Sequence, residues 1–200
     1  MTSEIAVYLR LGFEHIADVR GYDHILFLVA LCAVYEPRRW RQVLILVTAF
    51  TVGHSVTLAL ATLRLIHLDD RLVEFLIPLT ILTTAVLNIA GTRPGADGFD
   101  ETRRARRARY VMALGFGLIH GLGFSNFLRA LLGAEANIAL PLFAFNVGLE
   151  LGQICIVLVI LLVSFAMVRW VRMRRHDWIL VMSGAAAGVA LILMVERLAA

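Results

Sequence analysis

Three histidines and three carboxylates stand inside or at the edge of long apolar runs, where an ionisable side chain is costly and needs a reason. Asp23 and His24 open one run, and His54 lies in the middle of the next. Glu74 stands near the start of a third, His120 mid-run in a fourth, and Glu150 in a fifth. Neutral imidazoles and carboxylates without thiolates form a borderline ligand set, suited to Ni²⁺, Co²⁺, Zn²⁺ or Fe²⁺. Asn146 and Glu150, at i and i+4, share a helix face with Gln153 beside them, so one helix would offer two oxygen groups to one centre. Thr51, Ser55 and Thr57 make a local polar patch around His54. One such residue alone is as well explained by an interhelical hydrogen bond. Six residues from five runs at related depths are not, since scattered hydrogen-bonding groups have no reason to share a depth. His15, ahead of the first run, is either a supporting ligand at the mouth or a solvated surface histidine. His67 and His176 fall in loops and read as ordinary.

The elements that must position these residues are membrane helices. Of 200 residues, 60% are hydrophobic and 17% charged, with a mean hydropathy of +0.82; soluble domains carry about a quarter charged residues. Runs of roughly 20 apolar residues cross a bilayer, and six are read: residues 22–35, 42–66, 72–90, 110–132, 139–168 and 178–195. Pro78 is expected to kink the third. Residues 1–20 place Ile5, Tyr8, Leu9, Gly12, Ile16 and Val19 at helical spacing opposite Arg10, Glu14 and Asp18. That pattern predicts an amphipathic helix lying on the outer surface, and its charges interrupt any secretory leader. The expected fold is therefore a single all-α membrane domain, residues 1–200: six transmembrane helices preceded by a short interfacial helix.

All 19 basic residues are arginine. Without lysine there is no P-loop or Schiff-base lysine, which excludes a Walker-type ATPase within this chain. Cys32 and Cys155 lie in apolar runs with no ligand spacing, so neither a disulfide framework nor a thiolate zinc site is expected. Arginines crowd the first, third and fifth loops (Arg38, Arg39 and Arg41; Arg93 to Arg109; Arg169 to Arg175). By the positive-inside rule those loops are cytoplasmic and both termini face outward, as expected in a cell inner (plasma) membrane. The arginines are read as topology signals and anionic-lipid contacts rather than as a nucleic-acid surface. Glu74 has Arg64 or Arg129 as expected partners. The segment Gly91–Arg109, with Pro94, Gly95 and Gly98, reads as a mobile cytoplasmic loop.

Glycines predict where helices approach closely. Gly148 and Gly152 interleave with Asn146 and Glu150, and Gly184 with Gly188 reads as a small-xxx-small packing pair. Gly115, Gly117, Gly121 and Gly123 around His120 are denser than packing needs, which predicts locally unwound backbone lining a cavity.

Four stretches then carry a resemblance: Gly21-Tyr22-Asp23-His24-Ile25-Leu26-Phe27-Leu28; Phe50 to Leu58 around Gly53-His54-Ser55; Phe116 to Phe124 around His120-Gly121; and Phe145 to Gln153. With Val73-Glu74, they make the chain resemble the HupE/UreJ family of hydrogenase and urease accessory membrane proteins over about Phe13 to Gln153. In the family's first motif a histidine stands closer ahead of the Asp-His pair; here Asp18-Val19-Arg20 lengthens the gap after His15. The resemblance implies permeation of nickel, sometimes cobalt. The expected function is a permease for a divalent metal ion, nickel first with zinc or cobalt as alternatives, using Asp23, His24, His54, His120 and Glu150, supported by Glu74, Asn146 and His15. The competing expectation is a zinc-dependent intramembrane hydrolase of a lipid or membrane peptide, with Glu150 or Asp23 as base and Ser55 or Ser125 holding substrate. Partners expected are the metal ion and the bilayer, with no nucleic acid; homo-oligomerisation is left open.

Overall fold

The computed structural model describes residues 2–19, 21–92, 102–132 and 138–199. They form eight α-helices: α1 (Thr2–Ala17), α2 (Asp23–Cys32), α3 (Trp40–Thr62), α4 (Asp70–Gly91), α5 (Arg103–Gly123), α6 (Ser125–Leu132), α7 (Ala139–Arg169) and α8 (Arg175–Ala199). A 3-10 turn, Pro37–Arg39, leads into α3, and no strand occurs among the described residues. Local chemistry sets several ends. The Asp69 carboxylate accepts the Arg71 N–H to cap α4, and the Thr102 hydroxyl accepts the Ala105 N–H to cap α5. α3 stops where Arg64 turns into the left-handed region at φ 60°.

Four helical stretches are long and apolar enough to cross a membrane: Pro37–Thr62, Asp70–Gly91, Ala139–Arg169 and Arg175–Ala199. The other two expected spans are built differently. The run 22–35 holds only the ten-residue α2, about 15 Å long. The run 110–132 breaks at Phe124 into α5 and α6, and α5 begins back at Arg103 with five arginines in its first seven residues. α4 carries Pro78 inside a single helix. The glycine-rich segment around His120 is not unwound; it stays helical to Gly123. The backbone departs from helix instead between α1 and α2, ahead of the Asp23-His24 pair.

α1 corrects the reading of the N-terminus. Its apolar face is real, with Tyr8, Gly12 and Ile16 buried. That face lies along α7 rather than on a surface. A Cβ on Gly12 would overlap the Phe145 carbonyl, one on Gly148 the Leu9 carbonyl, and one on Gly152 the Ile16 side chain. Rising numbers meet rising numbers, so α1 and α7 run parallel. The amphipathic stripe that reads as lipid-facing in isolation is a helix–helix seam.

α3 and α5 meet in the same way. A Cβ on Gly53 would overlap the Leu114 carbonyl, one on Gly117 the Phe50 carbonyl, and one on Gly121 the His54 carbonyl and the Thr57 hydroxyl. These helices too are parallel, and the contacts match offset for offset. Gly12 and Gly53 each meet the carbonyl three residues before, and the N–H one residue after, the first glycine of the opposing GxxxG. α4 and α8 run antiparallel, since Glu74 pairs with Arg197 and Asn88 with Ser183. Gly184 and Gly188 do not pack as a small-xxx-small pair, for nothing lies within 4 Å of a Cβ built on either.

A hydrophobic core from α2, α3, α4, α5, α7 and α8 gathers Phe27, Leu46, Phe50, Ile81, Ala113 and Ile179, and a smaller one joins α1 to α3, α6 and α7. At the arginine-rich end, buried Asn88 donates to the Ala30 carbonyl and the Ser183 hydroxyl and accepts from Arg109. Arg175, also buried, donates to Ser164 and the Tyr35 carbonyl.

Candidate metal site

The glycine-locked pairs bring histidines from four helices together. His15 (α1), His24 (α2) and His54 (α3) each offer a ring nitrogen, and those atoms lie within 4.8 Å of one another. His120 (α5) joins them, its ring centroid 5.0 Å from that of His24. The ring centroids of His15 and His24 are 4.8 Å apart, those of His24 and His54 6.1 Å. Metal–imidazole bonds are about 2.0–2.1 Å, so the His15, His24 and His54 nitrogens have to draw in by about an ångström to close on one ion.

Hydrogen bonds fix which nitrogen of two of these rings carries the lone pair. Thr80 Oγ1 donates its one proton to the Ile77 carbonyl at 2.7 Å and stands 3.0 Å from His120 Nε2. A hydroxyl has a single proton, so Nε2 must be the donor and His120 Nδ1 carries the lone pair. Asp23 Oδ1 sits 3.1 Å from His24 Nδ1 and also accepts the His24 backbone N–H at 2.8 Å. A carboxylate only accepts, so His24 Nδ1 is protonated and its Nε2 carries the lone pair. His120 Nδ1, His24 Nε2, His15 Nε2 and both nitrogens of His54 are buried with no hydrogen-bond partner among the described residues. Buried lone pairs of this kind are costly unless something binds them. A carboxylate behind an imidazole is also the usual outer partner of a metal-bound histidine.

Aromatic rings close the site. Phe27 and Phe50 lie 5.2 and 5.1 Å from His120, and Phe124 3.8 Å from His15, centroid to centroid. Two cavities reach its edges. One of about 70 Å³ is lined by Tyr22, Asp23, Glu74, Pro78 and Arg197; the other, about 560 Å³, by Glu14, His15, Asp18, Phe124 and Phe127.

The other sequence candidates lie elsewhere. Asn146 and Glu150 do share a face of α7, but it meets hydroxyls of α3. Ser55 donates to Asn146 Oδ1, Thr48 to Glu150 Oε1 and Thr51 to Gln153 Oε1, each at 2.7 Å. This three-rung ladder ties α7 to α3, and neither Asn146 nor Glu150 belongs to the histidine cluster. Glu74 pairs with Arg197 at 3.1 Å rather than with Arg64; the Arg129 side chain and residues 93–101 lie outside the described residues. Sequence reasoning missed Thr80, Thr48 and the aromatic walls. Thr80 belongs to a Thr80/Thr83/Thr84 group in the third span that could have signalled a polar stripe. Phenylalanines in a membrane helix carry no such signal.

A protein-family model described as HupE/UreJ protein matches residues 1–197. No curated protein and no solved structure matches the chain.

Proposed function

The chain belongs to the HupE/UreJ family, and on that premise we propose that it is a membrane permease for a divalent transition-metal ion, nickel first. The family is associated with an accessory function in nickel and cobalt transport. The observation that carries the reading is the set of four histidines with buried, unpartnered nitrogens, two of them held by Thr80 and Asp23 in the tautomers that leave Nδ1 of His120 and Nε2 of His24 as acceptors. All-imidazole donation suits late first-row divalent ions and offers little to Mg²⁺ or Ca²⁺.

The polypeptide crosses the membrane six times in this reading, α1 and α2 together making the first crossing and α5 with α6 the fourth. Helix directions support it. Crossings one and five must run the same way, as α1 and α7 do; two and four likewise, as α3 and α5 do; three and six must oppose, as α4 and α8 do. With the arginine loops cytoplasmic, both termini face outward across an inner membrane. The broken first crossing then leaves His15 and His24 on either side of a non-helical bend, where membrane transporters place ion sites.

A hydrated ion approaches past the carboxylates of the two cavities and exchanges water for imidazole. Because the ligands must be unprotonated, affinity falls as pH falls. Only neutral rings touch the ion, and Asp23 stands behind His24, which keeps binding weak enough for release. Uptake of radioactive nickel by transporter-deficient cells tests the reading. His54→Ala and His120→Ala abolish uptake while the protein remains in the membrane; unchanged uptake in both overturns it. No observation favours the hydrolase: Glu150 is held by Thr48, and Ser125 donates to the Leu122 carbonyl.

A further inference from the structure

We infer, on the permease reading, that Phe27, Phe50 and Phe116 form the inner barrier of the metal path, and that an ion passes only when the Phe27 ring swings aside. On three helices a phenylalanine stands one turn to the arginine-rich side of a histidine. Phe27 follows His24 on α2, Phe50 precedes His54 on α3, and Phe116 precedes His120 on α5. Contacts set these directions. α3 and α5 begin at Trp40 and Arg103, beside the arginine-rich segments, and run parallel. α2 descends toward that same end, because Asn88 joins the Ala30 carbonyl to Arg109. A layer of imidazoles therefore rests on a layer of phenyl rings.

The phenyl rings close on one another. Phe27 stacks on Phe50 with centroids 4.9 Å apart and meets Phe116 edge-on at 6.1 Å. Both Phe27 and Phe50 are fully buried. Cavities lie on either side of this layer. Two reach Asp23 and His15 from the outer end. A third, of about 370 Å³, has Phe116, Leu31 and Thr84 in its wall, the last two one turn beyond Phe27 and Thr80. Stacked hydrocarbon gives an ion nothing in exchange for its water, and apolar constrictions of this kind gate channels by dewetting. Phe50 and Phe116 cannot part, since Gly53, Gly117 and Gly121 lock α3 to α5 backbone against backbone. α2 carries no glycine, spans ten residues and has non-helical residues at both ends, so Phe27 is the ring that moves.

Proton entry into liposomes tests the barrier, because imidazoles relay protons once water reaches them. The full chain is reconstituted without metal around a trapped pH-sensitive dye, and a potassium diffusion potential drives protons inward. Wild type admits them no faster than protein-free liposomes. Phe27→Ser/Phe50→Ser wets the layer and raises entry by about tenfold or more. Phe50→Leu, still apolar, stays at the wild-type rate. So does Phe145→Ser, equally buried but packed in the smaller core with Phe124. Equal entry in wild type and the double variant overturns the barrier. An equal rise in Phe145→Ser does so too, as the mark of a merely loosened bundle. Should the double variant fail to fold, Phe116→Ser decides, its ring being only partly buried; unchanged entry there overturns the barrier. Nickel uptake into the same liposomes separates the two readings. A wild type that carries none overturns the permease, while proton entry still decides whether the phenyl layer seals.

Discussion

The pairs α1/α7 and α3/α5 are built on one backbone contact and carry different chemistry. Gly12 corresponds to Gly53, Gly148 to Gly117 and Gly152 to Gly121, and each glycine meets the same backbone groups at the same offsets. Carried along the helices, that correspondence sets His54 opposite Phe13, His120 opposite Leu151 and His15 opposite Val56. Glu150 corresponds to Ile119 and Gln153 to Leu122. The frame is duplicated; the ligands are not. Glycine fixes how near two backbones come, because no side chain stands between them. What is delivered to the centre depends on the residue one or three positions further on. α3/α5 supplies two fully buried histidines, while α1/α7 supplies His15 from one face and a hydrogen-bonding ladder to α3 from the other.

The sharpest way to break the comparison is to add one methyl group to each pair. Gly12→Ala and Gly53→Ala both drive a Cβ into a backbone carbonyl, which cannot rotate away, so each costs about 1–3 kcal/mol or more. Thermal unfolding of the purified protein reads both, and the losses add because the seams are separate. Tolerance of Gly12→Ala alone would return α1 to the membrane surface and end the correspondence.

Ligand changes ask whether the unlike halves share one site. His15→Ala lowers nickel affinity, measured against a competing chelator, by more than the roughly 10–100-fold that loss of an outer partner costs; Asp23→Asn falls within that range. Unchanged affinity in His15→Ala would confine the site to α2, α3 and α5.

Gly184→Ala and Gly188→Ala act the other way. Space is open there, so each variant melts at the wild-type temperature or above it, with up to about 0.5–1 kcal/mol gained from the less flexible unfolded chain. A loss like that at Gly12 would mean that the last helix packs where the structure leaves it open.

The smallest effect belongs to the seam between the pairs. Thr51→Val removes the bond to Gln153 at a cost of about 0.6 kcal/mol, the average for an interhelical hydrogen bond in a membrane protein. A cost near that of the glycine variants would show the ladder to be as rigid as the seams it joins.

Much of this was legible in the residues. Long apolar runs gave α3, α4, α7 and α8 because a bilayer demands length and apolarity from each helix separately, and both are local properties. The cost of burying an imidazole picked out His24, His54 and His120 for the same reason. α1 was misread because one amphipathic stripe serves a lipid surface and a neighbouring helix equally well; nothing within residues 2–17 says which. The partners of Glu150 and Asn146 could not be read because a polar face in a membrane helix announces only that a partner exists. Thr48, Thr51 and Ser55 became those partners through the direction and register of α3 against α7, a relation between segments about a hundred residues apart.

By itself, then, the sequence determined that this is a lysine-free, arginine-rich helical membrane chain with histidines set inside its apolar runs. Only the tertiary structure decided that His15 lies beside His24 and His54, that Thr80 and Asp23 fix the tautomers of His120 and His24, and that two glycine seams share one geometry. Each of these depends on distances between atoms on different helices. A side chain's cost in the membrane is written in its type, whereas its partner is written in where the other helices stop, turn and approach.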